Sequence, residues 1–199
     1  MKKILQPLGT QDGYVLVLAM MMMLVLTLLG IAATNTTTTE QMIAGNDTLH
    51  KKTFYRADGG TEIAASVLEE NIACITGFTA TTGTEAVLEG AIRVTKLNLW
   101  QIAAPNDPPT DASRDLYFPE GYTAGQPHTN VTIGGQTEMT TGSALQMAAG
   151  YEGKGKGIGA GGTHLLYDVY AQHLDFNNAE SLVHVQWRHT VGQEGDCNY

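Results

Sequence analysis

Residues 14 to 39 carry no charged side chain. The core of this run, Tyr14 to Ala33, is long enough as a helix, at ~1.5 Å per residue, to cross a hydrocarbon layer of ~30 Å. A short basic leader, Met1 to Gly13 with Lys2 and Lys3, precedes it. A secretory signal has a shorter apolar core with its small-residue cleavage site on the far side. Here the candidate processing point, Gly13, lies before the run, so cleavage there would leave a mature chain that begins at Tyr14 and keeps its apolar segment. Lys2 and Lys3 stand on one side of the run, and Glu40, Asp47, Glu62, Glu69 and Glu70 follow it. The positive-inside bias then holds the N-terminus in the cytoplasm and exports residues 40 to 199. A plain single-pass anchor for an unrelated domain satisfies the same pattern.

Charged residues make up 16% of the chain, while 23 of its 199 residues are glycine, a composition that suits a β-rich exported domain with many turns. The net charge of −9 lacks the basic footprint of a nucleic-acid binder. The two cysteines, Cys74 and Cys197, form neither a CxxC pair nor a Cys/His cluster of metal spacing. In an oxidising compartment one disulfide is the economical reading, and two unpaired thiols remain the alternative.

Thr34-Asn35-Thr36-Thr37-Thr38-Thr39 is locally a weak helix former, yet helical patterning resumes at once. Ile43, Phe54, Ala57, Ala64 and Leu68 fall on one face of a 3.6-residue repeat, and Asp47 and Lys51 make an i,i+4 pair elsewhere. Gly45 and Gly59-Gly60 are candidate bend points. The expectation is one helix over 14–70, roughly 85 Å long at the standard rise, spanning at 14–33 and amphipathic over 34–70.

Residues 71–199 form the expected exported head. Ala91 to Ile102 reads as a strand, possessing one slip in its alternation. Ala103 to Pro127, with five prolines, reads as a surface loop. Val131 to Thr140 fits a hairpin turning at Gly134-Gly135. Ser143 to Tyr151 fits strand or helix equally. The strongest signal is a hairpin of 165–173 with 182–189, in which Ala171 pairs with Val183, Val169 with Val185 and Tyr167 with Trp187. That register puts the apolar residues on one face, to be covered by the amphipathic helix, with Asp168, His184, Gln186 and Arg188 on the other.

Several motifs carry less than they suggest. Gly150 to Gly157 nearly makes a P-loop, but Gly157 stands where the Mg²⁺-binding hydroxyl belongs. Gly157, Gly159 and Gly162 satisfy GxGxxG, yet a strand follows instead of the required helix. His164, His173, His184 and His189 divide between two faces of the hairpin and read as solvated strand residues. Asp107, Asp111 and Asp115 offer oxygen ligands for Ca²⁺ without EF-hand spacing, so a polar loop is the simpler reading. Asn-x-Thr occurs at Asn35, Asn46 and Asn130, as expected by chance in a Thr-rich chain. No catalytic constellation, cofactor site or metal site emerges.

The Gly-ended leader, the apolar helix, its amphipathic continuation and a β-rich head together resemble a type IV pilin. The match is closer to the PilX-type minor pilins, through Leu24 to Ala33, then Thr38-Thr39-Glu40-Gln41-Met42-Ile43-Ala44-Gly45-Asn46-Asp47 and Phe54 to Gly60. The resemblance covers residues 13 to 65 strongly and the head only loosely. It implies an α+β, pilin-like fold with the helix packed on an antiparallel sheet. It further implies cleavage between Gly13 and Tyr14 by a prepilin peptidase, N-methylation, and helix assembly through Leu18, Glu40, Met42, Gly45 and Asn46. The partners would be other minor pilins, the major pilin and the bacterial inner membrane, with the head periplasmic before it reaches the pilus surface. Major pilins carry a glutamate at the fifth mature position, here Leu18, which implies priming or capping of a filament in preference to building its shaft. The alternatives are a pseudopilin of type II secretion and a membrane-tethered binding module or adhesin.

Overall fold

Helix α1, Asp12–Ala73, is continuous through the threonine-rich stretch that propensity alone would make a linker. In this computed structural model, which describes residues 12–104, 106–139, 163–192 and 195–197, the hydroxyls explain why. Thr34, Thr36, Thr37, Thr38 and Thr39 each donate to the carbonyl four residues back, at 2.9–3.1 Å. Each side chain thereby hides its polar atom against the helix and turns its methyl outward. The chain divides into two units, one ending at Thr48 and one starting at Leu49. From Gly13 to Thr48 its residues are helical and exposed.

In the second unit, Thr53, Ala57, Gly60, Thr61, Ala64, Leu68, Asn71 and Ile72 are buried, a spacing of three and four that marks the sheet-facing stripe. Ala57, Ala64 and Leu68 lie on it as the periodicity predicts. Phe54 does not: it is 45% exposed on the flank, where its ring meets Tyr55, and Thr53 takes the buried place. Ile43 is exposed as well. The helix ends at Ala73 and not at 70.

The sheet is a six-stranded antiparallel meander in chain order: β1 Ala86–Leu88, β2 Ile92–Val94, β3 Leu116–Phe118, β4 His128–Met139, β5 Thr163–Leu174 and β6 Glu180–Thr190. The β5–β6 register is the one the apolar face dictates, Ala171 opposite Val183, Val169 opposite Val185 and Tyr167 opposite Trp187. The core joins this face to the helix: Leu68, Leu99, Leu116, Val131, Ile133, Tyr167 and Val169 are almost wholly buried.

Three expectations fail here. Gly134 and Gly135 are not a turn; they lie inside the continuous strand β4. A Cβ on Gly134 would come within 3.0 Å of the Asn106 side chain, and one on Gly135 would overlap the Tyr167 ring. The pair is there so that side chains can cross the strand on both faces. The 91–102 strand shortens to β2, and Leu99–Gln101 forms a 3-10 turn that drives Leu99 into the core. The proline-rich loop contains β3 and lies over the outer face of β4. Thr132 donates to the Asp107 carbonyl at 2.7 Å, and Ala103 bridges Gly135. The Ser143–Tyr151 and Gly150–Gly162 segments fall outside the described residues.

Candidate functional site

The anchoring helix is the first functional element. It is long and apolar enough to cross a membrane. Leu18, Met21, Met22, Val25 and Leu26 line a shallow groove along it, in which Leu18 is 42% exposed. Tyr14 lies open at its start, next to Gly13, where an added Cβ would meet nothing within 4 Å. Farther on, Glu40, Met42, Gly45 and Asn46 are exposed, with open space at Gly45. This element therefore offers an exposed helical surface.

The second element fastens the helix to the sheet. Asp175, at the β5–β6 turn, has a buried carboxylate whose Oδ2 meets Lys52 Nζ at 3.1 Å and Arg56 Nη1 at 3.2 Å. Its Oδ1 accepts from the Phe176 N–H at 2.8 Å. Against the cost of burial, that N–H and the two cations hold Asp175 below the ordinary carboxylate range. Glu69 reaches the edge strand, accepting from Trp187 Nε1 at 2.6 Å and pairing with His189 Nδ1 at 2.7 Å. Asn71 closes the far end: Nδ2 donates to the Leu97 carbonyl and Oδ1 accepts from the Trp100 N–H. Cys74 and Cys197 are disulfide-bonded, 123 residues apart in sequence, and bring the segment after β6 back to the helix end.

The histidines are not all solvated, contrary to the sequence expectation. His173 and His189 share the apolar face with Tyr167 and Trp187 and are 4% exposed. Burial, with the Arg56 charge second, pulls His173 down to about 4, so it is neutral near pH 7. Thr129 Oγ1 lies 2.8 Å from its Nδ1. His184 stacks on Tyr170 and pairs with Asp168 at 3.0 Å, whereas His164 lies 3.4 Å from Glu138. The aspartates of the proline-rich loop also disperse. Asp115 is buried between Lys96 and the Ile133 N–H. Asp111, despite its desolvation, is held below the usual range by Asn130 and His128. No group of three or more metal-ligating side chains converges among the described residues.

A helix with an apolar first half and a sheet-bound second half is pilin architecture, and residues 13–62 match the model of the PilX N-terminal family. The likeness to PilX-type pilins is thus shown for the N-terminal segment, about a quarter of the chain. No curated protein and no solved structure matches it. The PilX-type match begins at Gly13 and ends at Glu62, so it includes Lys52, Arg56 and the Gly59-Gly60 pair as well as the apolar run. Glu69, Asn71 and the sheet lie beyond it. A helix apolar enough to span a membrane, followed by a six-stranded antiparallel sheet, is consistent with the α+β pilin-like fold.

Sequence reasoning overlooked Asp175, Glu69 and Asn71 as the polar fasteners of the head. Asn71 had the one usable signal, a short amide at the point where helical patterning gives way to turn residues.

Proposed function

We propose that this protein is a minor pilin that primes or caps a type IV pilus together with other minor pilins. Processing would occur between Gly13 and Tyr14, and the head would face the periplasm of the bacterial inner membrane before export. The observation that carries this reading is Leu18. Shaft subunits of the resembling class carry a carboxylate at the fifth mature position, which neutralises a neighbour's terminal amine inside an apolar core. At Leu18 that amine would meet Met21, Met22, Val25 and Leu26, all apolar. Leaving one charge unpaired in such surroundings costs several kcal/mol. Repeating this subunit through a shaft would incur that cost at every step, whereas one copy at the tip, with no subunit beyond its amine-binding position, avoids it.

The reading is tested by deleting the gene and counting pili, and by quantifying the protein against the main subunit in sheared filaments. A large drop in pilus number with trace abundance in the filament is the expected result. Near-equal abundance along the shaft would overturn it. Loss of protein secretion with pili intact would assign the chain to type II secretion instead.

A further inference from the structure

The head contains a cleft of about 430 Å³ between α1 and the segment joining β3 to β4. Its walls are Ile63, Phe118, Pro119 and Pro127, and its polar end is formed by Arg56 and His173. Gly59 lines its mouth, and a Cβ built there meets nothing within 4 Å. The neighbouring Gly60 behaves oppositely, pressed to 2.9 Å from Thr129 Cγ2 at the position of its missing Cβ. One glycine lets the helix close on the sheet and the other keeps the cleft open.

The charge at the polar end is unbalanced. Lys52 and Arg56 share the single carboxylate of Asp175, and His173 is neutral. One positive charge is therefore left over, on a protein whose net charge is −9. Arg56 is 44% exposed and makes its bonds to Asp175 and His173 through Nη1. Among the described residues, Nε and Nη2 have no bond, which leaves a fork of the kind that grips a carboxylate with two parallel hydrogen bonds. The other imidazole at the cleft, His128, is already paired with Asp111 at 2.7 Å.

We propose that this cleft binds the C-terminal end of a partner polypeptide, seating the terminal carboxylate on Arg56 and an apolar last side chain against Phe118, Pro119 and Ile63. The charge complementarity selects an anion, and the apolar walls select one borne on hydrocarbon; a volume of this size holds one or two residues. Every residue of the site lies in the second unit, from Leu49 on, and none lies in the apolar run of α1.

The test uses the full chain in lipid nanodiscs with ¹⁵N-labelled histidine, titrated with N-acetyl-phenylalanine and, separately, with its amide. The acid should shift the imidazole signals of His173 and His128 saturably and bind at least about fivefold more tightly than the amide, as loss of a charge-assisted pair requires. Gly59→Leu should abolish binding, because its side chain fills the mouth while replacing a helix-weakening glycine. Arg56→Gln should reduce the acid to the level of the amide. Equal binding of acid and amide, undiminished binding to Gly59→Leu, or no saturable shift would overturn the proposal. Preference for an internal glutamate, probed with N-acetyl-Glu-Phe-amide, would overturn the chain-end assignment.

Discussion

Replacing Asn71 with leucine should destabilise the head by about 2–4 kcal/mol. The side chain is fully buried and bonds twice across the fold, to the Leu97 carbonyl at 2.8 Å and from the Trp100 N–H at 3.2 Å. These two contacts are unequal. The Leu97 carbonyl also accepts from the Phe78 N–H at 3.0 Å, so it keeps a partner in the variant and the loss is one ordinary bond, about 0.5–1.5 kcal/mol. The Trp100 N–H has Asn71 as its recorded partner and would be stranded in the core, at about 1–3 kcal/mol. Leucine is of similar size, so no cavity offsets or adds to the sum. Urea unfolding of the full chain in detergent micelles, followed by the fluorescence of Trp100 and Trp187, reads the difference. With a slope of about 2 kcal/mol/M, the midpoint should fall by about 1–2 M at unchanged slope. Glu62→Gln, on the exposed face, is the control. A midpoint for Asn71→Leu equal to that control would refute the claim that this amide fastens the helix end.

Gly60→Val should cost about 1–3 kcal/mol by forcing Thr129 and Ala171 away from the helix, whereas Gly59→Ala should stabilise by up to about 1 kcal/mol; the same unfolding assay separates them. Replacing both Cys74 and Cys197 with serine should lower stability by at most about 5 kcal/mol, the chain-entropy figure for a loop closed across 123 residues, and a loss below about 1 kcal/mol would reject that account. Stability should be flat above pH ~6.5 and fall towards pH ~4. His173 is near 4 in the folded head and near 6.5 unfolded, so the unfolded chain takes up the proton first, which costs at most about 3 kcal/mol. Asp175, whose folded value is lowered, holds its contribution above the ordinary carboxylate range and loses it at still lower pH. A His173→Gln head whose stability falls just as steeply between pH 6.5 and 4 would contradict the assignment to His173.

The helix, its anchoring half and the β5–β6 register were legible because each is written in a short period. Tyr167, Val169 and Ala171 alternate against Trp187, Val185 and Val183, and slipping by one residue would expose the whole set. What was not legible depends on residues distant in sequence. Gly134-Gly135 looks like a turn until the Tyr167 ring and the Asn106 side chain are placed across it. The proline-rich segment hides β3, whose Leu116 and Phe118 pair with Val131 and Thr129. His173 and His189 follow the parity of the apolar face, and a residue-type prior for solvated histidine obscured that. Nothing local to Asp175 indicates that Lys52 and Arg56, more than a hundred positions earlier, converge on it.

The central claim is that the apolar helix belongs to a processed pilin, and the N-terminus of the protein recovered from filaments tests it most directly. Mass spectrometry should find a mature chain beginning at N-methylated Tyr14, with the run to Ala33 intact and the protein a minor component. A retained Met1, or a new terminus beyond Ala33, would contradict the account.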